Sequence, residues 1–283
     1  MTLIERNNFF KAGIILCAVV ILLVLTASFF TIPHYQQWET DYLGMEGSIS
    51  RPDHFFQVIT GWFLNNSYYA VHIALILAAV YSFVGMLVIH SFFERTPTPE
   101  ILYIAIFVIS ISFEFLRLFL PLHIIYNFPS FYLRIAARVL LFTRFFGIFA
   151  LFTAGLCAAG LDVQKVRNAL FIITLATLVT TGGVPIDVHT WDTSFNMITG
   201  YKNLFRMIEI LVFLTTMISF FIAAKIRESK YYVHAAVGVM LALIGRNILL
   251  STDNWIGIFQ GILLLSFGTY YLCSKIHKIY LWL

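Results

Sequence analysis

Long apolar stretches alternate along the chain with short polar breaks, and eight of the stretches approach the roughly 20 residues an α-helix needs to cross hydrocarbon. An unpaired backbone amide is too costly in lipid, so each stretch is read as a helix. The predicted helices run from Ala12 to Pro33, Tyr69 to Phe92, Ile101 to Leu122, Phe131 to Gly160, Ala169 to Val184, Leu204 to Ala224, Tyr231 to Leu250 and Trp255 to Cys273. Two connections are longer than the rest: His34 to Tyr68, and Pro185 to Asn203, which is entered through Gly182-Gly183 and holds Trp191. The pattern predicts an all-α, polytopic membrane helix bundle of eight transmembrane helices.

Composition agrees. The 283 residues are 60% hydrophobic and 11% charged, with a mean hydropathy of +0.87, against about 25% charged residues in a soluble domain. A net charge of +4 spread over the whole chain excludes the concentrated basic surface of a nucleic-acid binder. Cys17, Cys157 and Cys273 lie within apolar runs and lack the spacing of a zinc site or disulfide framework.

The basic residues set the orientation, because short cytoplasmic loops accumulate Lys and Arg. Arg6, Lys11, Arg95, Lys165, Arg167, Lys225, Arg227, Lys230, Lys275 and Lys278 fall on one side, and only Arg51 and Lys202 on the other. Both termini are therefore expected in the cytoplasm. The segment from His34 to Tyr68, with Glu39, Asp41, Glu46 and Asp53, is expected outside, as are Asp187 and Asp192. A basic start and Thr26-Ala27-Ser28 give the first helix some features of a signal peptide. Its apolar run of about 19 residues exceeds the 7 to 15 of a signal core, so it is read as an uncleaved anchor. Residues 1–68 thus form an anchor with an extracytoplasmic loop, and residues 69–283 a seven-helix module.

Six arginines remain inside or at the ends of helices, where charge is costly and marks a pair, a pathway or a ligand site. With 1.5 Å of rise per residue, Glu114 lies about 12 Å below the outer end of its helix, and Arg138 about 10 to 12 Å below the start of the next. Arg117 stands one turn above Glu114, and Arg134 is the i,i+4 neighbour of Arg138. Arg206 and Glu209 open the sixth helix from the same side, and Arg246 with Asn247 closes the seventh. Five arginines against Glu114 and Glu209 leave a formal excess of three positive charges. Guanidinium forks suit carboxylate and phosphate, so these eight residues are the candidate pocket for an anionic ligand. The competing reading has Arg117, Arg134 and Arg206 snorkelling to lipid phosphates and Glu114 with Arg138 as a structural pair. Arg144 sits about 20 Å down the fourth helix with no acidic residue expected nearby, so carbonyls, Thr143 or water are its expected partners.

Other chemistry is thin. A haem would need two facing histidines at one depth, a demand that only His90 with His234 approaches, and no cofactor is expected. The run from Asp187 to Asp192 collects oxygen and imidazole groups around His189 but matches no metal motif, and reads as a solvated loop. No mid-helix lysine, GxSxG, HExxH, P-loop or GxGxxG occurs. Gly257 with Gly261, and Gly155 with Ala159, are small-residue pairs whose default meaning is close helix packing.

From Tyr69 onward the chain resembles bacterial seven-transmembrane sensor modules, especially the N-terminal membrane region of some histidine kinases. The resemblance rests on the basic turn from Phe92 to Pro99, on SISFEFLRL with Glu114, and on RIAARVLLFTRFFGIFALF from Arg134 to Phe152. In such modules a glutamate late in the second helix and an arginine on the third recur, which the resemblance maps to Glu114 and to Arg134 or Arg138. It implies a bacterial plasma (inner) membrane protein that senses a ligand. The chain departs from those modules by its extra first helix and by the lack of an output domain after Cys273.

Three functions compete. The first is a receptor-like subunit that binds an anionic small ligand or lipid headgroup in the outer arginine pocket and signals through a separate cytoplasmic or membrane partner. The inner loops around Arg95, Lys165 to Arg167 and Lys225 to Lys230, or the tail from Lys275, would dock that partner. The second is a membrane enzyme or transporter for an anionic substrate, with Glu114, Glu209, Asp187 or His189 as acid and base. The third is a structural subunit of a membrane complex.

Overall fold

The computed structural model describes residues 3–34, 67–94, 96, 98–160 and 166–281. All eight predicted helices are present, and together they make an all-α bundle. They are α1 (Leu3–Thr31), α2 (Tyr68–Phe93), α3 (Glu100–Tyr126), α4 (Ser130–Ala158), α5 (Val166–Gly182), α6 (Lys202–Ile226), α7 (Lys230–Ser251) and α8 (Trp255–Leu281). Seven are long and apolar enough to cross a membrane, and α5, at 17 residues, is the short one. The chain is a multi-pass membrane protein. The expected outside segment falls almost wholly on residues 35–66, which lie outside the described residues, as do Arg51, Arg95 and Lys165.

Successive helices alternate in direction, so Leu3 and Leu281 lie at the same end, here the terminal end. The opposite end carries an element the apolar pattern did not predict. Between α5 and α6, β1 (Ile186–Trp191) and β2 (Met197–Thr199) pair antiparallel, with Ile186 opposite Thr199 and Trp191 opposite Met197. Ile186, Val188 and Thr190 alternate as β-branched residues, and the turn residues Asp192 and Asn196 stand between the strands, so periodicity of two was present in the loop.

The core runs through the whole bundle. α1 packs against α2 and α3, α3 against α4, and α4 against α5 and α6. The tightest contact is α7 with α8, where Gly238 and Gly245 face Gly268 and Gly261 seven residues apart on each helix. A Cβ on Gly245 would lie 2.4 Å from the backbone nitrogen of Leu265, and one on Gly268 2.4 Å from that of Ala242. Close backbone approach of this kind is how membrane helices gain dispersion energy without a hydrophobic driving force. Gly261 serves as predicted, but Gly257 faces Thr252 of its own connection instead of another helix. Gly155 packs on Ser219 and Phe220 of α6.

Two helix ends differ from expectation. α3 continues past Leu122 because Asn127, in the left-handed region at φ 50°, followed by Pro129, is the actual stop. α8 runs through the expected tail to Leu281, and Tyr280 there donates to both oxygens of buried Glu100 at 2.9 Å.

Candidate functional site

The site begins with a defect in α3. Pro121 has no N–H to offer the carbonyl of Arg117, four residues back, and its ring crowds that oxygen. The preceding turn winds tighter, as a 3₁₀ segment over Phe113–Leu118. Three residues per turn stack i over i+3, which sets Glu114 directly beside Arg117. Their ion pair measures 2.8 Å from Nε to Oε2, and both side chains are buried.

A second guanidinium reaches the same carboxylate from α4. Arg144 Nε donates to Glu114 Oε1 at 2.8 Å and its Nη2 donates to Oε2 at 2.6 Å, a two-point clamp. The expected pairing of Glu114 with Arg138, and the expected lack of an acidic partner for Arg144, are both corrected. The reason is depth. With α3 extended to Tyr126, Glu114 lies about 18 Å from that helix's end, and Arg144 lies about 21 Å from the start of α4.

Arg246 of α7 is also fully buried, and its Nη2 donates to the backbone oxygen of Arg144 at 3.1 Å. Glu209 of α6 stands within electrostatic reach of Arg144 and Arg246. The centre therefore joins Arg117, Arg144 and Arg246 with Glu114 and Glu209, a formal excess of one positive charge. The predicted excess of three shrinks because Arg134, Arg138 and Arg206 are exposed on the bundle's side and do not converge on the centre. Arg138 Nη1 instead donates to the oxygen of Gly182 at 3.3 Å, closing the end of α5, where unpaired helix carbonyls attract a cation. Asn247 is exposed at the rim, with its Oδ1 3.4 Å from Arg246 Nη1.

The β-hairpin closes the centre from above. Its turn is tied by Asp192 N to Asn196 O at 2.8 Å and Phe195 N to Asp192 O at 3.0 Å, with Phe195 in the left-handed region at φ 61°. Asn196 Oδ1 accepts from Arg144 Nη2 at 2.7 Å, and its Nδ2 donates to the oxygen of Leu250 at 3.3 Å. Arg117 Nη2 donates to the same Leu250 oxygen at 2.7 Å, and Nη1 to that of Ser194 at 3.4 Å. Thr193 bonds Asp253, and Ser194 Oγ donates to the oxygen of Ser251 at 3.4 Å. The buried ring of Phe195 packs edge-on against His72 and Tyr68 of α2. One short hairpin thus binds α2, α3, α4 and α7 together. Beside Arg117 and Phe195 a small opening of about 20 Å³ remains, room for about one water.

Asn196, Ser194 and Phe195 were missed in the sequence because they sit in the connection from Pro185 to Asn203, where no candidate beyond Asp192 was read. The strand alternation before them was the available signal. Of the other candidates, His90 and His234 are kept apart, since α8 packs between α2 and α7, and His234 Nδ1 lies 3.1 Å from the Tyr271 hydroxyl. No cluster of three or more metal-ligating side chains occurs among the described residues. Asp187 accepts from Thr190 at 2.8 Å, and the side chain of His189 lies outside the described residues. Compared with known proteins, the chain matches no family model, no curated protein and no solved structure.

Proposed function

We propose that the chain is a receptor-like membrane subunit, held closed by an internal carboxylate that occupies its anion site. Glu114 is the observation that carries this reading. Its two oxygens take the fork of Arg144 and the side of Arg117 in the geometry a ligand's carboxylate or phosphate would take. One positive charge remains over, and Arg144 is one-fifth exposed, so an entering anion has somewhere to begin. An anion that replaces Glu114 frees the 3₁₀ turn and loosens Asn196, because Asn196 shares Arg144 Nη2 with the carboxylate. The ligand shifts the helices only as far as it prefers the open arrangement to the closed one. In this reading the hairpin end faces outside a bacterial plasma membrane, and a separate partner reads the movement at the terminal end.

The exposure of Arg134, Arg138 and Arg206 favours a second role for those three alone. They stand on α4 and α6 near the hairpin end, at the level where cationic side chains reach lipid phosphates.

Mass spectrometry of the full chain purified in mild detergent tests the proposal, comparing wild type with Arg144→Gln. A bound small anion or anionic lipid, lost in the variant together with a copurifying partner protein, is the expected result. Identical composition in both proteins overturns the anion site. An anionic metabolite turned over without any partner points to the enzyme or transporter instead.

A further inference from the structure

At the edge of the arginine centre stands a carboxylate that the centre leaves unused. Glu209 is half-buried on α6, and among the described residues it accepts no hydrogen bond and forms no ion pair. Its helix nonetheless turns it toward the centre. Phe205, one turn earlier on the same face of α6, packs its ring at 5.3 Å from that of Phe145, the neighbour of Arg144 on α4. The charge of Glu209 acts on Arg144, and on Arg246 more strongly than that of Glu114 does.

Arg246 is incomplete from the other side. It is 2% exposed, yet among the described residues its guanidinium donates only to the backbone oxygen of Arg144 at 3.1 Å and to Asn247 Oδ1 at 3.4 Å, and no carboxylate oxygen lies within 4 Å. Two acceptors for five N–H donors leave it able to bind a further anionic oxygen. An anion entering beside Arg144 therefore meets both kinds of unspent group. Glu209 repels a plain anion, because bringing like charges together costs free energy, whereas an anion that also carries an ammonium group pairs with it.

We propose that the ligand of the arginine centre is an amine-bearing phosphate of the phosphoethanolamine kind, with its phosphate on Arg144 and Arg246 and its ammonium on Glu209. The inference rests on the anion site proposed above and adds the chemical class of its ligand. Charge agrees with the amine. The centre has one positive charge over. A phosphate monoester alone, at about −1.5 to −2, overshoots that excess, and one ammonium brings it to between about −0.5 and −1. A plain carboxylate matches the excess but leaves Glu209 unanswered. The same phosphoethanolamine group occurs free and as a lipid headgroup.

The test reads the unfolding midpoint of the full chain in phosphatidylcholine nanodiscs against added phosphoethanolamine or ethyl phosphate, which differ by the amine. In wild type, phosphoethanolamine is expected to raise the midpoint at about tenfold lower concentration, the effect of one charged hydrogen bond. Glu209→Gln is expected to erase that advantage. Equal responses to the two probes in wild type overturn the amine assignment and leave the anion site standing, and no response to either overturns both. An advantage that survives in Glu209→Gln also overturns the assignment, and the wild-type comparison decides if that variant fails to fold. Nanodiscs containing phosphatidylethanolamine separate the two sources. A Glu209-dependent rise there without added probe supports the lipid headgroup, and a rise with the soluble probe alone supports the free compound.

Discussion

Glu114 takes three N–H groups or charges from two directions, and each constrains a different helix. Burying such a network gains little net stability, because desolvating the charges offsets their attraction. Breaking it is another matter. Glu114→Ala leaves Arg117 and Arg144 buried without their carboxylate and is expected to cost about 3–5 kcal/mol, whereas Arg138→Ala, at an exposed site, is expected to cost at most about 1 kcal/mol. Unfolding of each variant in nanodiscs checks this, and equal costs would contradict the assigned pairing. Phe195 adds a backbone term to a packing term. Its left-handed φ of 61° is unfavourable for a bulky residue, yet its ring is 2% exposed. Phe195→Ala is expected to destabilise by about 3–5 kcal/mol, and Phe195→Gly by less, since glycine relieves the backbone.

At the scale of elements, one device recurs. Arg6 donates to the oxygen of Phe93 at the end of α2 at 2.6 Å, Arg117 to that of Leu250 near the end of α7, Arg138 to that of Gly182 at the end of α5, and Arg227 to that of Cys157 near the end of α4. Arg6, Arg117 and Arg138 satisfy carbonyls that the helix itself leaves unpaired, Arg227 shares the Cys157 oxygen with the N–H of Gly160, and all four meet the negative end of a helix dipole. Arg138→Ala is accordingly expected to speed amide exchange in the last turn of α5 and to leave α4 unchanged. The α7–α8 seam depends on shape instead. Gly245→Ala forces a Cβ against backbone and is expected to cost about 1–3 kcal/mol, while Gly182→Ala meets nothing within 4 Å and is expected to be neutral.

The whole bundle was legible from apolar run lengths because lipid permits few backbone arrangements. The ends of α3 and α8 were less so, since Pro121 and Lys275 look like terminators and are tolerated inside helices here. The site was half legible. Glu114, Arg117 and Arg246 were found because charge in hydrocarbon is rare, but partner choice depends on depth, and an error of four residues at Tyr126 exchanged Arg144 for Arg138. The hairpin's part was hidden, because a short strand pair among eight apolar helices leaves only a weak alternation. Orientation remains an expectation from basic residues, with a direct check. All three cysteines are buried, so Tyr201→Cys at the hairpin end is expected to react with an impermeant maleimide in intact cells. Ser229→Cys at the terminal end is expected to react only after permeabilisation, and the reverse pattern would invert the topology.

The central claim is that Glu114 occupies an anion site, and the most direct measurement is the unfolding midpoint of wild type and Glu114→Gln across a phosphate titration at constant ionic strength. Glu114→Gln is expected to start less stable and to be rescued by phosphate at lower concentration than wild type, because the vacated Arg144 fork accepts it. If phosphate leaves Glu114→Gln as unstable as before, the arginines are structural and the anion site is wrong.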